Sequence, residues 1–195
     1  MRPLPEPPRV VVLAGPNGAG KTTVSRDLVR DQLGVRNFVN ADTIARGLAA
    51  FDPESVAIAA GRVMLQRLRE LAAARADFAF ETNLASRSLV PWLRHLQESG
   101  YTILLAFLWL PTPEIAIARV RQRTADGGHH VPDDTVRRRH ERGLVNLRQG
   151  FLSLADELWL FDSSCIPLRL VAAGPRDALV QIEPAIVRRI LNGTP

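Results

Sequence analysis

A chain of 195 residues with 46% apolar content is long enough and greasy enough for one folded unit with a real core, which excludes a disordered or fibrous chain. The formal charge of +5 comes from 24 arginines and one lysine against 20 acids. It is spread along the chain, so it marks a preference for anionic ligands and argues against a dedicated nucleic-acid arm.

Met1 to Pro8 is too rich in proline for a secretion signal and reads as a stiff exposed tail ahead of one domain over 9–195. Arg9 to Ala14 is a β-branched apolar run that leads into Gly15-Pro16-Asn17-Gly18-Ala19-Gly20-Lys21-Thr22-Thr23, and helical spacing then runs to Leu33 with Gly34 as its stop. The spacing G-x-x-x-x-G-K-[ST] between a strand and a helix is that of a P-loop. Its amides cradle phosphates, Lys21 reaches the β and γ phosphates, and the Thr22 hydroxyl is a ligand for Mg²⁺. Lys21 is also the one lysine of the chain. Everywhere else arginine serves, so this position demands a compact ammonium rather than a planar fork. ATP and Mg²⁺ are the expected cofactors.

Phe38 to Asn40 is a second short strand, and Asp42 to Leu48 a helix with Asp42 as its cap. Ser55 to Arg75 is the longest amphipathic pattern, Phe78 to Phe80 a third strand, and Ser88 to Ser99 a helix ended by Gly100. Ile103 to Leu110 is an unbroken apolar run, read as a buried central strand, since eight residues cannot span a bilayer. Helices over Pro113 to Thr124 and Asp133 to Gly150 flank a Gly127-Gly128 break; strands over Leu158 to Phe161 and Leu168 to Ala172 precede a closing helix over Ala178 to Leu191. This alternation predicts an α/β three-layer sandwich with a mainly parallel central sheet. Trp92, Trp109 and Trp159 lie in apolar contexts and are assigned to the core, as is the single Cys165, which excludes an internal disulfide and fits a reducing cytoplasm.

In such a sheet, ligands sit beyond the carboxyl ends of the strands, where Asp42, Glu81 and Asp162 stand. Asp42 can take the proton of an attacking hydroxyl, cap its helix, or do both. Glu81, followed by Thr82 and Asn83, suits a substrate or Mg²⁺-water site, or a solvated loop. Asp162, before two serines, reads as a turn residue. Residues 114 to 148 hold eight arginines against five acids around Gly127-Gly128-His129-His130. That pattern reads as a lid, about 119–142, that brings charge to the phosphoryl group and excludes water. Arg119 and Arg123 share a helix face; one or two of Arg137, Arg138 and Arg139 reach phosphate, and an ion pair with Glu141 is the plain alternative for Arg137. The adjacent His129 and His130 make a poor metal site and suit a hinge or a substrate contact.

With the P-loop, Asn40-Ala41-Asp42, Phe80-Glu81-Thr82-Asn83 and the Gly127-Gly128-His129 to Arg137-Arg138-Arg139 segment, the chain resembles the zeta toxin family of P-loop kinases over most of residues 9 to 165. It looks like the compact branch of that family, whose members are described as predicted ATPases. The resemblance implies transfer of phosphate from ATP with Mg²⁺ to a sugar hydroxyl of a nucleotide sugar such as UDP-N-acetylglucosamine, with Asp42 as base. It implies that Glu81 and Asn83 hold substrate, that Arg123 and Arg137 are lid arginines, and that an antitoxin protein is a partner. A nucleotide-driven ATPase switch and a polynucleotide kinase-like enzyme are the alternatives.

Overall fold

The computed structural model describes residues 6–128 and 131–193, so His129 and His130 lie outside it. Seven strands form one sheet in the order β2-β3-β1-β4-β5-β6-β7: β1 (Arg9–Ala14), β2 (Asn37–Val39), β3 (Phe78–Thr82), β4 (Thr102–Trp109), β5 (Glu157–Asp162), β6 (Arg169–Pro175) and β7 (Val180–Gln181). The first five run parallel, while β6 and β7 are antiparallel additions at one edge. Pro8 is buried, and its carbonyl accepts the Thr102 amide at 2.9 Å, so chain ahead of β1 is already tied to the sheet.

Parallel pairing forces crossovers, and the crossover helices cover both faces. Alternation within the strands divides the core accordingly. Val10, Val12, Ala14, Ile103, Leu105 and Phe107 face a layer built from α3 (Ala57–Ala73), α4 (Val90–Glu98) and α7 (Pro184–Asn192) through Met64, Leu68, Leu93, Leu96, Val187 and Ile190. Val11, Leu13, Leu104, Ala106 and Leu108 face the other layer. It holds the wide-turned segment Arg26–Gln32 that continues α1 (Lys21–Ser25), together with α5 (Pro113–Ala125) and α6 (Asp133–Asn146), through Leu28, Val29, Ala116, Ile117, Val120 and Val136. The three-layer α/β sandwich read from the sequence is the fold that forms.

Three local expectations are corrected. The helix after β2, α2 (Ala41–Leu48), begins one residue early, and its cap is Asn40, whose Oδ1 accepts the Thr43 amide at 3.0 Å. Asp42 therefore lies in the first helical turn with its carboxylate released from capping. The stretch expected as one closing helix from Ala178 splits into a short turn, β7 and α7, because Pro184 can only open a helix and the β-branched Val180 pairs with β6. Cys165 is exposed, since it follows β5 in a loop that has left the sheet.

Candidate active site

The geometry begins with the glycines. Gly15 has φ +146°, and a Cβ there would sit 2.4 Å from the Leu108 carbonyl oxygen, so the loop can pass over β4 only without a side chain. Gly18, at φ +77°, is equally pressed, with the Ala116 oxygen 2.8 Å from its would-be Cβ. The loop is braced from below by Ser163, whose hydroxyl donates to the Ala19 carbonyl at 2.7 Å, and from the side by Arg119. Rather than sharing a lid face with Arg123, Arg119 donates from its guanidinium to Gly18 O, Ser163 Oγ and Ser164 O at 3.2 to 3.4 Å.

Lys21 opens α1 and is buried. Its ammonium donates to Gly15 O and Pro16 O at 2.8 and 3.0 Å, and Glu81 Oε1 lies 3.7 Å away. Burial pushes the Lys21 ammonium below the ordinary lysine range; the carboxylates of Glu81 and Asp42 pull it back up, and the Arg123 guanidinium adds to the lowering. Charge from three other predicted site residues is thus felt at Lys21.

Register explains how Glu81 gets there. Leu13 pairs with Glu81 and Val39 with Phe80, so the ends of β1, β2 and β3 lie side by side and Asn40 falls next to Glu81. Glu81 Oε2 accepts from the Thr22 hydroxyl at 2.9 Å and from Asn40 Nδ2 at 2.6 Å. An all-oxygen pair, hydroxyl and carboxylate, beside a phosphate-binding loop is the donor set a hard divalent cation takes, so these residues fit Mg²⁺. Among the described residues no cluster of three or more His, Cys, Asp or Glu side chains could hold a metal ion.

A cleft of about 350 Å³ opens above this point, lined by Asn17, Lys21, Asn40, Asp42, Glu81, Thr82 and Asn83, by Gly61, Met64 and Leu65 of α3, and by Ser86, Ser88, Leu89 and Arg139. Thr82 Oγ1 and Asn83 Oδ1 also accept the amides of Leu84 and Ala85, which fixes the turn after β3. Asn17 Oδ1 is buried in the loop without a hydrogen-bond partner. A larger groove of about 550 Å³ lies elsewhere, at the free edge of β2, and contains neither P-loop nor Asp42.

Of the predicted residues, the cleft therefore gathers Asn17, Lys21, Asp42, Glu81, Thr82 and Asn83, with Thr22 tied to Glu81. Arg137 is held elsewhere: its guanidinium donates to Glu114 of α5, not to Glu141, and that contact lowers the Glu114 carboxyl below its usual range. Gly127, at φ +83°, ends α5, and Gly128 is packed against Arg123, whose oxygen would lie 2.7 Å from a Cβ. Beyond the break, α6 is pinned to the sheet by His140, whose Nε2 lies 3.0 Å from Leu110 O. Asp162 is a turn residue, as read: Ser164 N and Arg169 bind it, and these bonds outweigh burial to hold its carboxyl below the usual range.

The sequence assigns no site role to Asn40, Ser163 or Gly61. The first carried a readable signal, an asparagine immediately before a helix.

Comparison with known proteins agrees with this fold. The family model described as AAA domain matches residues 10–143. An uncharacterized protein of Haemophilus influenzae is 26% identical over 132 residues, covering 68% of this chain and 92% of its own length. Among solved structures, the PezAT chromosomal toxin-antitoxin system of Streptococcus pneumoniae aligns over 100% of this chain and 82% of its own, with 17% identity and a TM-score of 0.64. The AvrRxo1-ORF1:-ORF2 structure with ATP aligns over 95% of this chain at 16% identity and a TM-score of 0.70; the chain spans only 64% of that one. The likeness to these two structures is one of fold. No helix among the described residues is long and apolar enough to cross a membrane.

Proposed function

Because the chain belongs to the AAA domain family and has a P-loop kinase-like fold, we propose that it is an ATP-dependent phosphotransferase acting on the hydroxyl of a small molecule in the cytoplasm. The observation that carries this reading is the meeting of Lys21, the Thr22–Glu81 pair and an uncapped Asp42 in one cleft at the carboxyl edge of the sheet.

The loop amides from Asn17 to Thr23 and the Lys21 ammonium bind the triphosphate. Thr22 and Glu81 would hold Mg²⁺, which when bound neutralises phosphate charge. Asp42 accepts the acceptor's hydroxyl proton as that oxygen bonds to the γ phosphorus and the bond to the β–γ bridging oxygen breaks, leaving ADP. Arg123, close enough for its charge to be felt at Lys21, adds positive charge to the transfer state, and the α5–α6 segment acts as the lid over about 119–142. Arg137 joins only if its contact with Glu114 is exchanged, and His129 is kept as a candidate substrate contact.

The zeta toxin resemblance directs the acceptor toward a nucleotide sugar such as UDP-N-acetylglucosamine. The ATP in the AvrRxo1 structure supports ATP as donor, and the PezAT toxin-antitoxin system supports an antitoxin as protein partner. An ATPase switch is the second reading, favoured by an acid on the strand beside β1 that contacts the P-loop hydroxyl.

Incubation with γ-labelled ATP, Mg²⁺ and a panel of nucleotide sugars tests the proposal. Label should reach a sugar hydroxyl, fall by a factor of about 100 or more in Asp42→Asn with nucleotide binding retained, and vanish in Lys21→Ala. Release of free phosphate alone, unchanged in Asp42→Asn, selects the switch instead.

A further inference from the structure

The groove beside β2, at about 550 Å³, is larger than the cleft and takes no part in the chemistry above. Arg36 to Asn40 line it without a break, so β2 runs along its whole length. β2 stands first in the strand order and pairs only with β3, which leaves its other edge free. Apart from that ladder, no backbone hydrogen bond among the described residues reaches 36–39. A short edge alone means little, since brevity is one way sheets protect their ends. This one is joined to a cavity whose apolar lining comes from Val39 of the strand, Ile44 of α2, and Val63 and Leu71 of α3. Its charges are unequal. Arg67 and Glu70 neutralise each other at 3.1 Å, whereas Arg36 has no hydrogen-bond or ion-pair partner among the described residues.

Free strand backbone, an apolar wall and one uncompensated cation together describe the complement of an extended acidic peptide. We propose that this groove docks an extended segment of another protein, bearing an acid beside β-branched side chains, as an eighth strand of the sheet. Its main chain pairs with the free edge of β2, its apolar side chains lie over Ile44, Val63 and Leu71, and its acid meets Arg36. Three residues of strand span about 10 Å, so a segment of about five residues covers the edge.

Asn40 ties this surface to the cleft. It is 6% exposed and lines both cavities. Its Nδ2 holds Glu81, which lies in the cleft, and its Oδ1 holds the amide of Thr43, which lies in the groove. A strand added to β2 braces Asn40 in that bridging position, the one that aims Glu81 at Thr22. Resting on the phosphotransferase reading, in which Glu81 and Thr22 serve the nucleotide and its Mg²⁺, segment and nucleotide tighten each other's binding by the same factor.

The probes are the capped, fluorescein-labelled pentapeptides Glu-Val-Thr-Val-Thr and Thr-Val-Thr-Val-Glu, whose acid meets Arg36 in the parallel and the antiparallel direction respectively. Fluorescence anisotropy on the protein without nucleotide should show one of them binding about tenfold or more tightly than its lysine-for-glutamate version. Of its two versions N-methylated at alternate residues, the one whose methyl groups face β2 should lose about tenfold, because a strand offers its donors to each side in turn. Arg36→Gln should remove the preference for glutamate over lysine, and Val63→Glu should weaken binding about tenfold; both should leave label transfer without peptide within about twofold. Calorimetry with Mg²⁺ and a non-hydrolysable ATP analogue should show nucleotide binding about fivefold or more tighter at saturating peptide. Asn40→Ser, which can still cap α2 but loses the donor to Glu81, should bind peptide normally with that gain abolished. The proposal is overturned if neither peptide binds, if both variants of the groove bind as wild type does, if lysine serves as well as glutamate, if both methylated forms bind like the parent, or if peptide leaves nucleotide affinity unchanged. Laurate binding through Arg36 where the peptides fail makes the groove a site for a small amphiphile and ends the peptide assignment. Peptide binding with no transfer of label to any acceptor defeats the phosphotransferase reading and leaves the docking site standing; transfer without peptide binding does the reverse.

Discussion

Replacing Glu81 by glutamine keeps the side chain's shape and removes one negative charge beside a buried ammonium. The two groups are 3.7 Å apart, with Lys21 7% and Glu81 13% exposed. At an effective dielectric of about 20, that pair is worth about 4 kcal/mol. Part is recovered, since Lys21 keeps its bonds to Gly15 O and Pro16 O and a glutamine oxygen can still accept from Thr22 and Asn40. A net loss of roughly 2 to 3 kcal/mol near neutral pH follows, a little under the usual cost of breaking a buried pair. The sign of its pH dependence is fixed. Burial already holds Lys21 below the ordinary lysine value of 10.5, so the unfolded chain binds that proton more tightly and stability rises with pH between the folded value and 10.5. Without Glu81 the folded value drops further, the window opens at lower pH, and the gap to wild type narrows on going alkaline. Tyr101, raised by burial, opposes this only above the ordinary tyrosine value of 10.0. Urea unfolding followed by tryptophan fluorescence at about pH 7 and about pH 9.5 measures both gaps. No gap at the lower pH, or an equal gap at both, refutes the electrostatic account.

Leu68→Ala removes a fully buried side chain where α3 meets the sheet and should cost about 3 kcal/mol in a urea titration; a loss under about 1 would mean α3 is not core. Gly143→Ala places a Cβ 2.7 Å from the Asn83 carbonyl oxygen. It should destabilise by about 2 kcal/mol and raise the acceptor KM, because Asn83 lines the cleft. Arg169→Ala strips a partner from Asp162, whose carboxyl is held below the ordinary aspartate value of 3.8. A depressed carboxyl stabilises above its unfolded value and loses that contribution as pH falls through the folded one, so circular dichroism should show the variant's acid unfolding at higher pH.

The sheet and its layers were legible because β-branched runs and helical spacing are local signals, and Lys21 because a motif at fixed spacing carries its own mechanism. Boundaries were less so. Aspartate is a common helix cap, which makes capping one of the two roles open to Asp42, but Asn40, just past the end of β2, starts the helix first. Val180 was absorbed into the last helix because a two-residue strand is too short to show alternation. Arginine destinations were the least readable. Arg119, Arg137 and Arg139 are chemically identical, and only tertiary neighbours send one to the P-loop, one to Glu114 and one to the cleft.

Asn40 shows why the site could not be assembled from its motifs alone. It sits beside Glu81 because β2 and β3 pair in parallel with Val39 against Phe80, and its two polar atoms then serve different masters: Oδ1 starts α2, and Nδ2 binds Glu81. One residue of slippage would turn the next side chain to the opposite face. The α2 start, the orientation of Glu81 toward Thr22 and the release of Asp42 from capping are therefore a single register choice. Aspartate at position 40 could still cap the helix but would set a carboxylate against Glu81, so asparagine is the residue that satisfies both ends at once.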